Sequence, residues 1–124
     1  MSPWLLVAAL AGGVGAGLRY LVDRWLTPAA GAARFPVGIL VVNVSGSFVL
    51  GVVTGLGTAI APELSLVLGL GLLGGYTTFS TVSVETVLLA QRGRRRHAAL
   101  NLLGTLALAA LAAGLGLLVG GAVS

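Results

Sequence analysis

The sequence predicts an all-α membrane protein with four transmembrane helices, from its composition, the spacing of its apolar segments and the charge of its loops. Of the 124 residues, 57% are hydrophobic and 8% are charged, and the mean hydropathy is +1.08. Soluble globular chains contain about 25% charged residues. The chain is therefore expected to lie in a lipid bilayer, as a single four-helix domain over residues 1–124.

The composition also excludes several classes of function. Cysteine is absent, which excludes disulfides, thiolate nucleophiles and cysteine-ligated metals. One histidine and three dispersed acidic residues offer no nucleophile–base pair, so the chain is not expected to be an enzyme. Its seven basic residues are all arginine. In a chain this apolar they are interpreted as signals of membrane topology, and no nucleic-acid partner is expected.

Four apolar segments, each close to the ~20 residues that span hydrocarbon, are separated by polar residues. They are predicted at 4–25, 37–60, 64–91 and 98–119. The first segment follows no basic residue and continues well past Ala9-Leu10-Ala11. It is therefore expected to be a retained helix and not a cleaved signal peptide.

The arginines in the loops and at the end of the first segment are confined to one side of the predicted membrane. With four spans, the two termini and the loop at 61–63 share the other side, which has no arginine. The positive-inside rule predicts that the arginine-bearing loops are cytoplasmic and that both termini are outside. These residues are Arg24, at the end of the first segment, and Arg34, Arg92, Arg94, Arg95 and Arg96 in the loops.

The third segment contains the strongest local signal. Gly74 and Gly75 are followed by a run of β-branched and hydroxyl residues, which makes a poor continuous helix. A helix broken at membrane depth frees backbone carbonyls, which in transport proteins often bind a small cation. The alternative is a kink that packs against neighbouring helices.

Other polar side chains stand in apolar surroundings, and each has two interpretations. Arg19 either extends to the interface or places a positive charge at the mouth of an anion path. Asn43 either forms an interhelical hydrogen bond or donates to a desolvated anion. Asn101 and Thr105, which share a helix face, either line a pore or bond a neighbouring helix.

Glycine spacing in the segments predicts close helix packing. The spacing of four residues occurs at Gly13–Gly17, Gly51–Gly55, Gly71–Gly75 and Gly116–Gly120. Ser45 and Ser47, which alternate with glycine in the second segment, are also expected to be packing residues.

Three stretches resemble the Fluc (CrcB-type) fluoride channels: residues 12–20, residues 42–48 and, above all, residues 74–81 followed by Glu85. The resemblance covers nearly the whole chain. It implies a four-helix subunit of an antiparallel, dual-topology dimer with two fluoride pores and a central structural sodium ion. It also implies passive export of cytoplasmic fluoride across a bacterial plasma membrane, which reduces fluoride toxicity.

The resemblance also implies roles for individual residues. The backbone carbonyls of Gly74 and Thr77 would bind Na⁺, which is structural and not transported. Arg19 and Glu85 would act electrostatically in the vestibule. The residues expected along the fluoride pore are Asn43, Thr78, Phe79, Ser80, Thr81, Asn101 and Thr105.

Three features depart from the family pattern. Val82 stands in place of a second pore phenylalanine, and Asn101, Thr105 and Ala109 align with a tyrosine and two serines. The arginine bias of the loops also opposes insertion in both orientations. These departures lead to the hypothesis that the chain is half of a heterodimer, with an oppositely oriented paralogue, in which one of the two pores is degraded.

Two other kinds of membrane protein are weighed against the channel. A small four-helix cation or drug/proton antiporter needs a carboxylate deep in the membrane, whereas the first segment has Arg19 and the lone acid away from the segment ends is Glu85. A non-transporting scaffold would account for the glycine spacing but not for Asn43 or the hydroxyl run.

Overall fold

The computed structural model describes residues 2–26 and 35–124, and within them every regular element is helical. Four helices are long and apolar enough to cross a membrane, which confirms the predicted fold class. We number them as spans in chain order: Pro3–Leu26, Val37–Ala59, Pro62–Gln91 and Arg95–Val123. Arg34, one of the predicted cytoplasmic arginines, lies outside the described residues.

The fourth span is longer than the apolar segment that predicts it. It begins at Arg95, so the helix already includes charged residues that precede the hydrocarbon-crossing stretch. Long arginine side chains can keep their charge in the headgroup layer while their backbone is helical. The apolar pattern marks where a helix enters hydrocarbon, and the helix itself extends further.

The last three spans contain turns other than regular α-helix. The second is α-helical over Val37–Leu56 and ends in a 3₁₀ turn, Gly57–Ala59, where Gly57 has a φ of 55°. The third contains a π-helical segment at Leu66–Leu73, and the fourth contains one at Leu100–Gly104. The sequence does not predict the two π-helical segments. A π-helix has about one residue more per turn than an α-helix, and in a uniformly apolar stretch this change does not alter the hydrophobic pattern.

Glycine backbones bring the second and fourth spans into close contact, as their spacing predicts. A Cβ on Gly51 would overlap the carbonyl oxygen of Ala113, and one on Gly55 would overlap that of Leu117. Gly116 and Gly120 meet the second span in the same way. Because residue numbers rise together along this contact, the two spans run in the same direction.

The first span packs in a similar way against the leading half of the third span, residues 62–76. Gly71 lies against the backbone of Ala8, and a Cβ on Gly75 would overlap the carbonyl oxygen of Gly12. By contrast, Gly13 and Gly17 have no neighbour within 4 Å. The packing role predicted for that pair is not met within the described subunit, where Gly12 and Gly15 take it instead.

The third span is interrupted near its middle. Its trailing half, Phe79–Gln91, leaves the first span and packs on the beginning of the fourth, mainly on Arg95–Ala99 and Leu100–Gly104. This divergence leaves a groove between the second span, the interruption and the fourth span.

Candidate functional site at the broken third helix

The break consists of two consecutive residues in extended conformation. Thr77 has φ and ψ of −78° and 152°, and Thr78 has −153° and 123°. They separate the short helix Gly74–Tyr76 from the helix Phe79–Gln91. The predicted break in the third helix is therefore confirmed, at about the midpoint of the span.

The break lies on the β-branched residues of the predicted signal and not on its glycines. Gly74 and Gly75 remain within the helical segment that precedes the break, and Gly75 supplies the close contact with Gly12. The extended residues are instead the two threonines that follow. β-branched residues are favoured in extended backbone, which is the conformation that both threonines adopt.

Asn43 holds the break from the neighbouring span. Its Oδ1 accepts a hydrogen bond from the backbone N–H of Thr78 at 2.8 Å, and its Nδ2 donates to the carbonyl of Thr78 at 3.1 Å. Nδ2 also donates to the carbonyl of Ile39 at 3.2 Å. The side chain is buried, and both of its N–H donors are used on backbone oxygen. The interhelical hydrogen bond considered from sequence is thus present.

These contacts release two carbonyls from helical hydrogen bonding. In an α-helix the N–H of Thr78 would donate to Gly74, but here it donates to Asn43. The N–H of Thr81 would likewise donate to Thr77, but it donates to the hydroxyl of Thr78 at 3.2 Å. The two carbonyls expected to bind a cation are therefore those whose helical donors are taken by side chains.

Hydroxyl groups cluster at the start of the trailing helix. The Thr78 side chain caps its N-terminus by accepting from Thr81, as threonine commonly does at this position. The same hydroxyl donates to Thr81 Oγ1 at 3.3 Å and lies 3.1 Å from Ser80 Oγ. The hydroxyls of Thr78, Ser80 and Thr81 therefore form one hydrogen-bonded cluster beside the break.

The groove beside the break is a cavity of about 250 Å³ that opens to one side. It brings together four of the predicted pore residues: Asn43, Thr78, Phe79 and Thr105. Phe79 is largely exposed, whereas Thr105 is buried. The remaining lining residues are Ser47, Thr77, Val82, Leu106 and Ala109.

Asn101 lies elsewhere, fully buried between the fourth span and the trailing half of the third. Its Nδ2 donates to Thr86 Oγ1 at 2.9 Å and to the carbonyl of Val82 at 3.3 Å, and it does not line the cavity. The Thr86 hydroxyl donates to the same carbonyl at 2.7 Å, so its oxygen is left to accept from Asn101. Asn101 therefore joins two helices, while its Oδ1 is buried without a hydrogen-bond partner among the described residues.

The two charged residues predicted to act in the vestibule are half-buried and do not line the cavity. Arg19 lies on the first span, about two turns before its end at Leu26. Glu85 lies on the trailing half of the third span. The described part of the chain, residues 2–26 and 35–124, gives neither of them an ion pair.

One polar lining residue, Ser47, was interpreted from the sequence as a packing residue. The available signal was spacing: Ser47 follows Asn43 by four residues and therefore shares its helix face. Ser45, two residues earlier, does pack as predicted, since its hydroxyl donates to the carbonyl of Val42 and meets the Tyr76 hydroxyl at 3.1 Å.

Together, the four spans, the break in the third and the cavity beside it define a multi-pass membrane protein built around an interrupted helix. Residues 6–117 match the family model described as "CrcB-like protein, Camphor Resistance (CrcB)". The chain belongs to this CrcB-like family, whose members are not enzymes.

Two bacterial relatives illustrate the similarity. The chain is 49% identical over 124 residues to "Fluoride-specific ion channel FluC 1" of Leifsonia xyli subsp. xyli (strain CTCB07), an alignment that covers 98% of this chain and 90% of the relative. It is 49% identical over 106 residues to "Fluoride-specific ion channel FluC" of Shewanella sp. (strain ANA-3), covering 84% and 85% respectively.

Proposed function

We propose that this chain is a subunit of a fluoride-specific ion channel that lets cytoplasmic fluoride leave the cell passively and so reduces its toxicity. The observation that carries the proposal is the cavity beside the broken third helix, where Asn43, Thr78 and Thr105 place polar groups in a mostly apolar lining that includes Phe79. The names of the relatives support fluoride as the ion. The inside-negative membrane potential drives an anion outwards without a coupled ion.

The chemistry of the cavity suits a small, strongly hydrated anion. Hydroxyl groups can donate to the ion as it loses water, and the positive edge of the Phe79 ring adds a weaker contact. A channel must also release the ion, so several moderate contacts serve better than one strong site. No carboxylate lines this cavity in the described residues, which argues against the alternative of a proton-coupled cation antiporter.

The open side of the cavity supports an assembly of two subunits, because an ion path through a membrane has to be enclosed by protein. We propose an antiparallel dimer in which a second subunit covers Phe79 and the exposed face of the trailing helix. The arginine bias of the loops favours one orientation for this chain, with Arg24 and the loop arginines after Gln91 in the cytoplasm. The partner is then an oppositely oriented paralogue, as proposed from the sequence.

Reconstitution into liposomes tests both the function and the partner. Liposomes loaded with fluoride would contain this chain alone, the candidate paralogue alone, or both, and a fluoride electrode would record efflux. We expect efflux with both chains and little with this chain alone. Efflux from this chain alone would contradict the heterodimer but not the channel, whereas the absence of fluoride efflux from all three preparations would contradict the channel.

We also propose that Gly74 and Thr77 hold a structural Na⁺ at the dimer centre through their backbone carbonyls. The support is that both carbonyls have lost their helical donors to side chains, Asn43 and Thr78 respectively. Two carbonyls from each of two subunits make four oxygen ligands. When bound, the ion supplies a positive charge that joins the two breaks.

Removal of sodium tests this site. Exchange of Na⁺ for a large organic cation is expected to lower the melting temperature of the assembled protein in detergent by several degrees at least. The reason is that four carbonyl oxygens lose the cation that they coordinate. Re-addition of Na⁺ should restore the melting temperature. Addition of choline chloride to the same ionic strength is the control and should not restore it. A melting temperature independent of Na⁺ would contradict the site without affecting the proposed ion path.

A further inference from the structure

We infer that the hydroxyls of Ser47 and Thr105 are two successive contacts for a partly dehydrated fluoride ion in the groove between the second and fourth spans. The inference rests on the proposed channel function and adds a donor, Ser47, that neither the sequence pattern nor the resemblance assigns. It also implies that Asn43, the most conspicuous polar residue of the cavity, holds the break and leaves donation to the hydroxyls.

The first argument is an inventory of donors in the cavity. Both N–H groups of Asn43 are committed to the carbonyls of Ile39 and Thr78. The Thr77 hydroxyl donates to the carbonyl of Leu73 at 2.9 Å. The Thr78 hydroxyl belongs to the cluster at the N-terminus of the trailing helix. These groups cannot donate to an ion without giving up a structural hydrogen bond.

Two hydroxyls remain. Thr105 is 4% exposed and its Oγ1 is buried without a hydrogen-bond partner, although the residue lines the cavity. A buried hydroxyl without a partner is costly and rare, so the Thr105 hydroxyl is free to donate to a ligand that reaches this wall of the cavity. Ser47 also lines the cavity, and its hydroxyl forms no hydrogen bond within the described residues.

Ser45 lies two residues earlier on the same helix, but its hydroxyl is hydrogen-bonded, whereas that of Ser47 has no partner in the described part of the chain. The Ser45 hydroxyl donates to the carbonyl of Val42 at 3.2 Å and meets Tyr76 Oη at 3.1 Å. Two residues further along the helix, Ser47 lies on the face of Asn43 and meets the cavity instead. The Ser45 hydroxyl therefore contributes to helix packing, and the Ser47 hydroxyl is available as a donor in the cavity.

The packing register places Ser47 at a level where the opposite wall has no polar group. Gly51 faces Ala113 and Leu117 across the parallel contact, so one turn earlier Ser47 lies level with the turn that contains Ala109. By the same register Asn43 lies level with Thr105 and Leu106. Going along the groove, a hydroxyl from the fourth span is therefore followed by one from the second span.

The test measures fluoride efflux from liposomes that contain the conducting assembly, together with fluoride binding followed by ¹⁹F NMR. Ser47→Ala is expected to slow efflux about tenfold, which corresponds to the loss of one hydrogen bond to a charged group. It should also weaken fluoride binding and reduce discrimination against chloride. Ser45→Ala is the matched control, since it removes a hydroxyl from the same helix outside the cavity, and its efflux should stay close to wild type.

A compensating variant separates this role from a general loss of structure. Ser47→Ala combined with Ala109→Ser returns a hydroxyl to the same level from the opposite wall, and we expect it to recover most of the lost rate. Thr105→Val, which keeps the shape and removes the hydroxyl, should slow efflux to a similar extent as Ser47→Ala. The melting temperatures of all variants should remain near that of the wild type.

Three results would overturn the inference. If the wild type conducts fluoride and Ser47→Ala conducts and binds it equally well, the role of Ser47 is contradicted and the channel function is not. If the double variant Ser47→Ala, Ala109→Ser folds but recovers none of the lost efflux, the inference that positions 47 and 109 lie at the same level of the groove is contradicted. A wild-type assembly that neither binds nor conducts fluoride would contradict the proposed function, and the two contacts would fall with it.

Discussion

Replacement of Asn43 by leucine is expected to abolish fluoride efflux and to lower the free energy of unfolding by about 3 kcal/mol. The variant leaves the Thr78 N–H buried without an acceptor, and the carbonyls of Ile39 and Thr78 lose their donor. Each buried group left unpaired costs about 1–3 kcal/mol. Reconstituted efflux and unfolding in detergent micelles measure the two effects.

Asn43→Asp separates the two functions of the side chain. A carboxylate retains an acceptor for the Thr78 N–H but opposes the two carbonyls to which Asn43 donates. We therefore expect loss of efflux with a destabilisation smaller than that of the leucine variant. Ser45→Ala is again the control on the same helix. A leucine variant that retains both stability and efflux would show that the break does not depend on this clamp.

Replacement of Gly75 by alanine is the second change with a large expected effect. The added Cβ would overlap the carbonyl oxygen of Gly12 and approach the Gly12 Cα, and both are backbone atoms that cannot turn aside. Overpacking typically costs about 1–3 kcal/mol, and we expect the upper end here. Because Gly75 lies two residues before the break, fluoride efflux should fall as well.

Gly114→Ala provides the control for this prediction. Gly114 lies in the fourth span with no atom within 4 Å of the position of a Cβ. Alanine is the better helix former by about 1 kcal/mol, so this variant should be neutral or slightly stabilising. Equal losses from the two substitutions would show that glycine is required for helix flexibility in general and not for the contact with Gly12.

The fold could be predicted from the sequence because membrane insertion depends on length and hydropathy, which are properties of each segment alone. The same is true of the break, since the hydroxyl run at 77–81 disfavours a continuous helix without reference to any other span. Its mechanism depends on a residue 35 positions away, Asn43, and could not be predicted in the same way. The sequence left two interpretations of Asn43 open, and only the spatial arrangement shows that its donors reach backbone.

The candidate site was predicted in part for the same reason. Asn43, Thr78, Phe79 and Thr105 do meet at one cavity, whereas Asn101 turns towards Thr86 and Val82. Asn101 lies in a π-helical segment, where the extra residue per turn alters which side chains share a face. A face assignment that assumes 3.6 residues per turn is unreliable at that position.

The clamp between Asn43 and Thr78 bears on how the protein is assembled. At the interruption, the backbone N–H groups of Thr78 and Thr81 have no helical acceptor, and they donate instead to the side chains of Asn43 and Thr78. A newly inserted chain therefore has no unmatched N–H from Thr78 or Thr81, whereas the carbonyl oxygens of Gly74 and Thr77 have lost their helical donors. The proposed sodium ion would supply a partner for these oxygens when two subunits meet.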